Sequence, residues 1–353
     1  MKNQVRILFA IFLALTIFVG CGEKIEKEEL EIAGVWEAEN MTQSNSFLCT
    51  QVYDNHIYYV QDFGDNFSIS KRTLQGEEVS SFDIKKGRGP GEARHSLGMK
   101  IYEDNIYFTD FVLNRITRFD FDGNYVDSFS FGSDTGVILS FDFFKDSMFF
   151  HSMNLTYLGK MEIESGKVVK RKEHTQKKVL EPKDKVRGGV MTIDKKDEML
   201  YVGNISKPYK IEKYNLDFKK IDEFTYSVGK GVEPTKVAPG PNIHGDFLIS
   251  SLTIDEKYVY APEISGRALI KQDGSEFEKF DAKILAFNKN SGDLAKTYTS
   301  KKLTDIEGFF NIIGQTDEYF VAFFMAQGPA VKKLINEEKD RFVRFFVLLK
   351  RPR

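Results

Sequence analysis

A pattern of apolar and polar residues recurs along the chain. In two copies, residues 53–82 and 102–129, an aromatic strand is followed by an alternating strand, a glycine turn and a second alternating strand. In both copies the turn glycine, Gly76 or Gly123, lies six residues before a closing phenylalanine. Alternation with period two marks strands that bury one face, and glycine supplies the positive φ of a tight hairpin. The pattern therefore predicts a repeated antiparallel sheet.

Four weaker copies continue the series. They cover residues 143–169, 197–224, 256–298 and 317–350, and a helical pattern is present only over residues 327–340. Stacking such sheets radially buries both of their faces, which also explains the 32 phenylalanines. We predict an all-β fold, a six-bladed β-propeller of four-stranded antiparallel blades over residues 32–353. A seven-bladed ring or an irregular multi-sheet domain is the alternative.

A propeller ring is commonly closed by a strand from the opposite end of the chain. Residues 32–38 (IAGVWEA) have the right pattern and precede the first copy. We expect them to pair beside the final strand, FVRFFVLL, and so to complete the last blade.

The N-terminus has a different pattern. Lys2 and Arg6 precede thirteen residues, ILFAIFLALTIFV, of which only Thr16 is polar. As a helix this run would span about 20 Å, short of a hydrocarbon core of about 30 Å. A basic start, a short apolar core and a small residue before a cysteine predict a signal peptide over residues 1–20.

The residues FVGC that end at Cys21 resemble a lipobox, although Phe18 replaces the usual leucine. The resemblance implies lipid attachment to Cys21 and, with Gly22 next, transport to the outer membrane. Residues 21–31 are rich in charge and are expected to form a tether, with at most one helical turn. An ordinary secreted protein with an incidental cysteine, or an uncleaved anchor, is the alternative.

Composition narrows the picture further. Apart from Cys21 the only cysteine is Cys49, so no disulfide can stabilise the lipidated chain and a packed core must do so. The net charge is −2, which argues against a nucleic-acid partner. We expect a monomer without a cofactor.

The second copy resembles an NHL repeat in the order Thr109-Asp110, Arg115-Ile116 and FDFDG, which ends at Gly123. The loop GRGPGE, residues 87–92, resembles the glycine-proline connection between NHL blades and the signature of TolB-like propeller lipoproteins. The resemblance implies a six-bladed propeller that serves as a platform for a ligand or partner. It also implies that Asp110 and Arg115 hold the hairpin of their own blade.

The connection at residues 87–96 (GRGPGEARHS) is the first candidate site. It concentrates Arg88, Glu92, Arg94 and His95 among three glycines. Glycines let backbone amides approach a ligand, and either arginine could hold a carboxylate or sulfate. A purely structural connection, with Arg88 and Glu92 tying neighbouring blades together, is the alternative.

Other candidate sites are weaker. The loop 229–245, which contains His244, is long enough to overhang one face and contact a ligand. His95, His151 and His244 could meet at the axis as a zinc site. Asp120 and Asp122 favour a turn over a calcium loop. The basic stretch 160–187 fits a solvated hairpin or an anionic partner.

No serine-nucleophile elbow or metal motif is present in the sequence. The leading hypothesis is a non-enzymatic binding module, held at the cell envelope by its lipid only, with a glycan, peptide or envelope protein as partner. A metal-dependent hydrolase or lyase with its site at the propeller channel is the second hypothesis. A purely structural envelope component is the third.

Overall fold

The computed structural model describes most of the chain between Ile25 and Pro352. The described residues are 25–41, 46–96, 98–131, 135–152, 157–163, 168–173, 189–229, 232–233, 236–237, 243–271, 274–337, 339 and 341–352. The predicted signal peptide and Cys21 lie outside them. Parts of the basic stretch 160–187 and of the loop 229–245 lie outside them too.

The first sheets of the fold are regular. Two N-terminal strands, β1 (Glu26–Glu29) and β2 (Ile32–Glu37), precede a series of four-stranded antiparallel meanders, which we call blades 1 to 4. Their strands are β3 (Thr50–Tyr53), β4 (His56–Asp62), β5 (Asn66–Thr73) and β6 (Glu78–Lys85); β7 (Gly98–Tyr102), β8 (Asn105–Asp110), β9 (Arg115–Asp120) and β10 (Tyr125–Ser130); β11 (Ile138–Phe144), β12 (Ser147–Ser152), β13 (Tyr157–Glu162) and β14 (Val168–Glu173); β15 (Gly189–Asp194), β16 (Met199–Asn204), β17 (Lys210–Asn215) and β18 (Lys220–Thr225).

Blade 5 and a larger sheet interleave along the rest of the chain. The remaining elements are β19 (Lys236–Val237), β20 (Ile243–Phe247), β21 (Thr253–Ile254), β22 (Tyr258–Pro262), β23 (Gly266–Lys271), β24 (Gly274–Phe277), β25 (Lys279–Phe280), β26 (Ile284–Asn288), β27 (Leu294–Thr299), β28 (Ile306–Gln315), β29 (Tyr319–Ala326), the helix α1 (Pro329–Ile335) and β30 (Val343–Lys350). Blade 5 is the meander β21-β22-β26-β27, with β1 added in parallel to β27. The large sheet has nine strands and contains the antiparallel run β28-β29-β30-β2.

The first strands of successive sheets surround a common axis. Each contacts the next in the order β3, β7, β11, β15, β21 and β28, and β28 contacts β3. Side chains join several of these strands: Gln51 Oε1 accepts from the Ile101 amide at 2.6 Å, and Asp142 Oδ2 accepts from the Ile193 amide at 3.0 Å. Each of these hydrogen bonds joins residues about one repeat apart in the sequence. They therefore hold equivalent strands of neighbouring sheets side by side.

Apolar side chains fill the space between neighbouring sheets. Phe67 and Phe108 pack in the cluster between blades 1 and 2, and Phe141 and Phe143 lie in the cluster between blades 2 and 3. Similar clusters join blade 3 to blade 4, blade 4 to blade 5 and the large sheet, and the large sheet to blade 1. Both faces of the sheets are therefore used, as predicted from the aromatic content.

The turn glycines of the repeat have a second role. Gly123 of blade 2 has φ +85°, and a β-carbon there would lie 2.4 Å from Phe82 of blade 1. Gly292 of blade 5 meets Phe224 of blade 4 in the same way, at 2.6 Å. The closing aromatic of one blade therefore packs on the glycine turn of the next.

The N-terminal strand supplies the equivalent contact for blade 1. A β-carbon on Gly76 would lie 2.7 Å from the ring of Trp36 in β2. The Trp36 Nε1–H also donates to the Leu74 carbonyl at 3.0 Å. The predicted pairing of residues 32–38 with the final strand is observed, with Trp36 opposite Phe346.

Two expectations need correction. The sheets are not six equal blades: five are regular, and the remaining strands belong to the nine-stranded sheet, because β19, β20 and β23–β25 extend it. The segment 21–31 is not a plain tether, because Glu26–Glu29 forms β1 and Leu30 is buried. The strand was not recognised in the sequence because its residues are all charged. In the structure, Lys296 of β27 pairs with Glu26 and Glu28 at 2.9 and 2.6 Å. The helical pattern at residues 327–340 is confirmed by α1.

Candidate functional site: the connection face and the axial cavity

The connection from blade 1 to blade 2 folds back on itself. Lys86 and Ala93 form a parallel bridge, and the Gly87 amide donates to the Ala93 carbonyl at 3.0 Å. Glu92 turns inward, where its Oε2 accepts from the Gly89 amide at 2.7 Å. A β-carbon on Gly87 would lie 2.0 Å from that oxygen. Glycine is needed there because the Glu92 carboxylate closes the loop, so this carboxylate is engaged within the connection.

Asp110 fixes the connection to blade 2. Its side chain is buried, and its Oδ2 accepts from the amides of Arg94 and His95 at 2.5 and 3.2 Å. Its Oδ1 accepts from the amides of Val112 and Leu113 at 2.9 and 3.0 Å. Four amide donors compensate the burial of the charge. Asp110 thus holds its own hairpin, as predicted, and also the connection from the preceding blade.

Arg115 completes this attachment. Its Nη1 donates to the Arg88 carbonyl at 3.3 Å, and its Nη2 donates to the Glu92 carbonyl. The guanidinium therefore joins β9 to the preceding connection and is not confined to its own hairpin. The structural interpretation of the glycine-proline loop accounts for these backbone contacts.

The side chains of the predicted loop residues are left in different environments. Arg88 and Arg94 are exposed, and within the described part of the chain neither forms an ion pair. The His95 ring lies 4.4 Å from the Phe111 ring, and its Nδ1 is 3.0 Å from the Ser96 carbonyl oxygen. Two cationic side chains and a half-buried histidine thus share one rigid loop.

The predicted histidine triad is only partly described. His151 is buried in β12, and His95 lies on the connection. His244 is in β20, but its side chain lies outside the described residues. Across the described ranges, no group of three or more His, Cys, Asp or Glu side chains is placed to hold a metal ion.

Some of the other candidate sites lie within the described residues and some lie outside them. Asp120 is confirmed as a turn residue: its Oδ1 accepts from the Asp122 and Asn124 amides at 3.0 and 2.8 Å. Hydrogen bonds from Asn124 lower its pKa. Most of the basic stretch 160–187 and of the loop 229–245 lies outside the described residues. No helix among the described residues is long and apolar enough to cross a membrane.

An axial cavity was not predicted from the sequence. It is bounded by all the first strands of the sheets and the segments leading into them. The lining residues are Leu48, Thr50, Gly98, Met99, Lys100, Ser140, Phe141, Val190, Met191, Ser250, Ser251, Leu252, Ile312 and Ile313. The space open to a water-sized molecule is about 70 Å³. This is room for a small group.

The cavity lies on the same side of the molecule as the connections. Each connection leads into the first strand of a sheet, and Gly98, Ser140 and Val190 stand at or near the starts of β7, β11 and β15. Ser96, at the end of the glycine-proline connection, is two residues from Gly98. The exposed arginines and the axial cavity therefore belong to one face, which we call the connection face.

Buried polar groups stand beside the cavity. Ser250 Oγ lies 2.5 Å from Ser265 Oγ and also contacts Asn311 Oδ1. Ser265 Oγ donates to the Leu248 carbonyl at 2.7 Å. Asn311 is fully buried, and its Nδ2 has no hydrogen-bond partner in the described part of the protein. This end of blade 5 is consequently polar beneath an apolar lining.

A second concavity, between blades 4 and 5, is held by charge. The buried Lys289 ammonium contacts Asp194 and lies 3.0 Å from Asp197. Burial alone would lower the pKa of Lys289, but hydrogen bonds to the two carboxylates raise it. Exposed Lys196 and Glu256 pair at 2.8 Å across the same groove. These groups satisfy one another, which makes the groove an inter-blade joint.

The sequence contained one signal for the axial cavity. Lys100 interrupts the otherwise apolar strand GMKIY of β7. A lysine in an inner strand is unexpected unless it faces water or a ligand. Without the ring geometry, however, nothing in the sequence shows that serines 150 residues further along the chain reach the same space.

Comparison with known proteins supports the fold. The structure superposes on a member of the DUF4221 family from Bacteroides vulgatus with a TM-score of 0.57 and 12% identity, covering 93% of this chain and 99% of that one. A "putative exported protein" from Bacteroides fragilis gives a TM-score of 0.56 at 12% identity over 93% and 100% of the two chains. The WD40 repeats of RRP9 give 0.51 at 12% identity over 91% and 99%.

The chain is a β-propeller. Likeness at this level of identity concerns the fold and carries no function with it. No protein-family model matches the sequence, and no curated protein resembles it significantly. The resemblance to NHL and TolB-like propellers therefore stays a prediction.

Proposed function

We propose that this β-propeller is a non-enzymatic binding module of the bacterial cell envelope, which presents its connection face to a glycan, peptide or envelope protein. The proposal rests on one observation: the exposed arginines and the axial cavity lie on the same rigid face. Asp110 and Arg115 hold the connection, so Arg88 and Arg94 are offered to a partner from a fixed backbone. Preorganised contacts of this kind reduce the entropy lost on binding.

The N-terminal strand supports attachment to a membrane through Cys21. Only residues 22–25 separate that cysteine from β1, which limits the extended link to about 18 Å. Strand β1 runs parallel to β27, with Glu26 opposite Lys296, so the chain enters from the turn that precedes β27. That turn is at the opposite edge of blade 5 from the connections. A lipid on Cys21 would leave the connection face pointing away from the membrane.

We also propose that the large sheet supplies a sixth blade, made of β28, β29, β30 and β2. Two observations support this. Strand β28 contacts both β21 and β3, so it lies between blade 5 and blade 1. The contact of Trp36 with Gly76 repeats the contacts of Phe82 with Gly123 and of Phe224 with Gly292. On this account β2 closes the ring.

A metal-dependent hydrolase or lyase is not favoured by any observation on the described residues. Direct analysis of the native chain for zinc and calcium tests it. Stoichiometric metal would revive this hypothesis.

Binding is tested with the full chain on a glycan array and in a pull-down from envelope extracts. The double variant Arg88→Ala/Arg94→Ala should lose the captured partner or glycan. The matched control Lys219→Ala/Lys257→Ala removes the same charge from the opposite face and should retain it. If neither assay gives a partner and the chain turns over an ester, lactone or glycoside, the proposal is wrong.

Anchoring is tested separately. The chain expressed in a bacterium should fractionate with membranes, and Cys21→Ser should release it. Labelling with a radioactive fatty acid should mark the wild-type chain and leave the variant unlabelled. A Cys21→Ser chain that remains in the membrane fraction would contradict lipid attachment as the anchor.

A further inference from the structure

One of the described residues that line the axial cavity has a charged side chain. Lys100, in β7, is half-buried and lines the cavity together with serine hydroxyls and apolar side chains. Among the described residues, its ammonium has no ion pair or hydrogen bond. The described lining includes no aspartate or glutamate. The space is therefore biased toward an anion.

A second donor is available beside it. Ser251 Oγ accepts a hydrogen bond from the Ile312 amide at 3.0 Å, which leaves the hydroxyl proton free to donate. Ser140 differs, because its Oγ accepts from the Met191 amide at 3.0 Å and faces the Met191 carbonyl at 3.4 Å. Lys100 and Ser251 thus each provide an unused donor at the cavity wall.

The rest of the lining limits the ligand. Met99, Phe141, Leu252 and Ile313 give apolar walls, and the space open to a water-sized molecule is about 70 Å³. One lysine matches a single negative charge, whereas a phosphate or sulfate dianion needs more charge and more donors than this wall offers. A carboxylate with a short aliphatic chain satisfies both the donors and the walls.

We propose that the axial cavity binds the carboxylate of a short aliphatic ligand, with Lys100 as its counter-ion and Ser251 as a hydrogen-bond donor. The proposal rests on the binding function proposed above and specifies one ligand class for that face. A larger ligand could place such a carboxylate in the cavity and extend toward the connection loops.

Calorimetric titration of the full chain with sodium butyrate, at ionic strength held constant with chloride, tests the site. We expect one binding site per chain, with affinity reduced at least tenfold in Lys100→Met and severalfold in Ser251→Ala. Lys71→Met is the matched control: Lys71 is in β5, away from the axis, and its ammonium lies over the ring of Tyr58 in β4. It should bind butyrate as the wild type does.

The outcomes separate the two proposals. Absence of butyrate binding, equal binding of sulfate, or unchanged binding by Lys100→Met overturns the carboxylate site. Capture of a glycan or protein by the connection face would be unaffected by those results. If Lys100→Met fails to fold, a crystal structure of the butyrate complex decides, because the carboxylate must lie within hydrogen-bonding distance of Lys100 Nζ.

Discussion

The joint between blades 1 and 2 and the joint between blades 4 and 5 are built differently. The first is apolar, with Phe82 seated on Gly123 and Phe67 beside Phe108. The second adds a buried ion pair, in which Lys289 of blade 5 reaches the carboxylates of blade 4. Residues of the repeat make the first joint. The second joint has the same repeat contact, Phe224 on Gly292, and the ion pair of Lys289 adds to it. A repeat can therefore encode its own stacking, and a buried ion pair can strengthen a single joint.

The largest expected effect is at the charged joint. Lys289→Met should lower the free energy of unfolding by about 3–5 kcal/mol, because it leaves the carboxylate of buried Asp194 without its cation. Urea unfolding measures this. Lys196→Met breaks the exposed pair with Glu256 and should leave the free energy of unfolding nearly unchanged, because solvent screens the pair. Equal losses in the two variants would show that Lys289 does not tie the blades together.

The apolar joint should respond to one methyl group. Gly123→Ala puts a β-carbon against Phe82 at a positive φ, and we expect a loss of about 2–4 kcal/mol. Gly64→Ala is the control, since Gly64 has φ +87° and no heavy atom within 4 Å of the added carbon. It should lose about 1 kcal/mol, for the backbone alone. Thermal or urea unfolding compares the two, and similar losses would mean that the Phe82 contact adds nothing.

The same part of the molecule contains a thiol that should be inert. Cys49 is fully buried against Ser96, and burial raises its pKa from 9.0 to about 12. In a Cys21→Ser chain at pH 8.5, alkylation should be about a thousandfold slower than in urea, because reaction requires the thiolate. The raised pKa means that the folded chain favours the neutral thiol over the thiolate. The stability that this preference contributes is present below pH 9 and is lost as the pH rises from 9 to about 12. Rapid alkylation of the native chain would contradict this burial.

The sequence predicted what the repeat contains and missed what lies between repeats. Period-two strands, glycine turns and aromatic content gave the propeller and the position of β2 beside the last strand. The strand β1 was missed because its residues, EKEE, are all charged and carry no hydrophobic alternation. The extra strands of the large sheet were missed because β19 and β20 lie between blades 4 and 5, and β23–β25 interrupt blade 5.

Prediction of the site had similar limits. The glycine-proline connection was recognised from its composition, but the roles of its residues depend on partners elsewhere in the chain. The sequence suggested that the Glu92 carboxylate could contact a ligand. In the structure it accepts a hydrogen bond from the Gly89 amide inside the loop. Lys100 and Ser251 come together only because the ring brings six segments to one axis. Local sequence patterns carry no information about contacts between residues so far apart in the chain.

We propose that β2 belongs to the propeller ring and closes it against blade 1. Trp36, in β2, is the only tryptophan in the chain, and its indole packs on Gly76 and donates to the Leu74 carbonyl of blade 1. Urea unfolding followed by both tryptophan fluorescence and far-UV circular dichroism therefore tests the claim directly. We expect the two transitions to coincide. A fluorescence transition at clearly lower urea, with the strand signal intact, would show that the ring stands without β2.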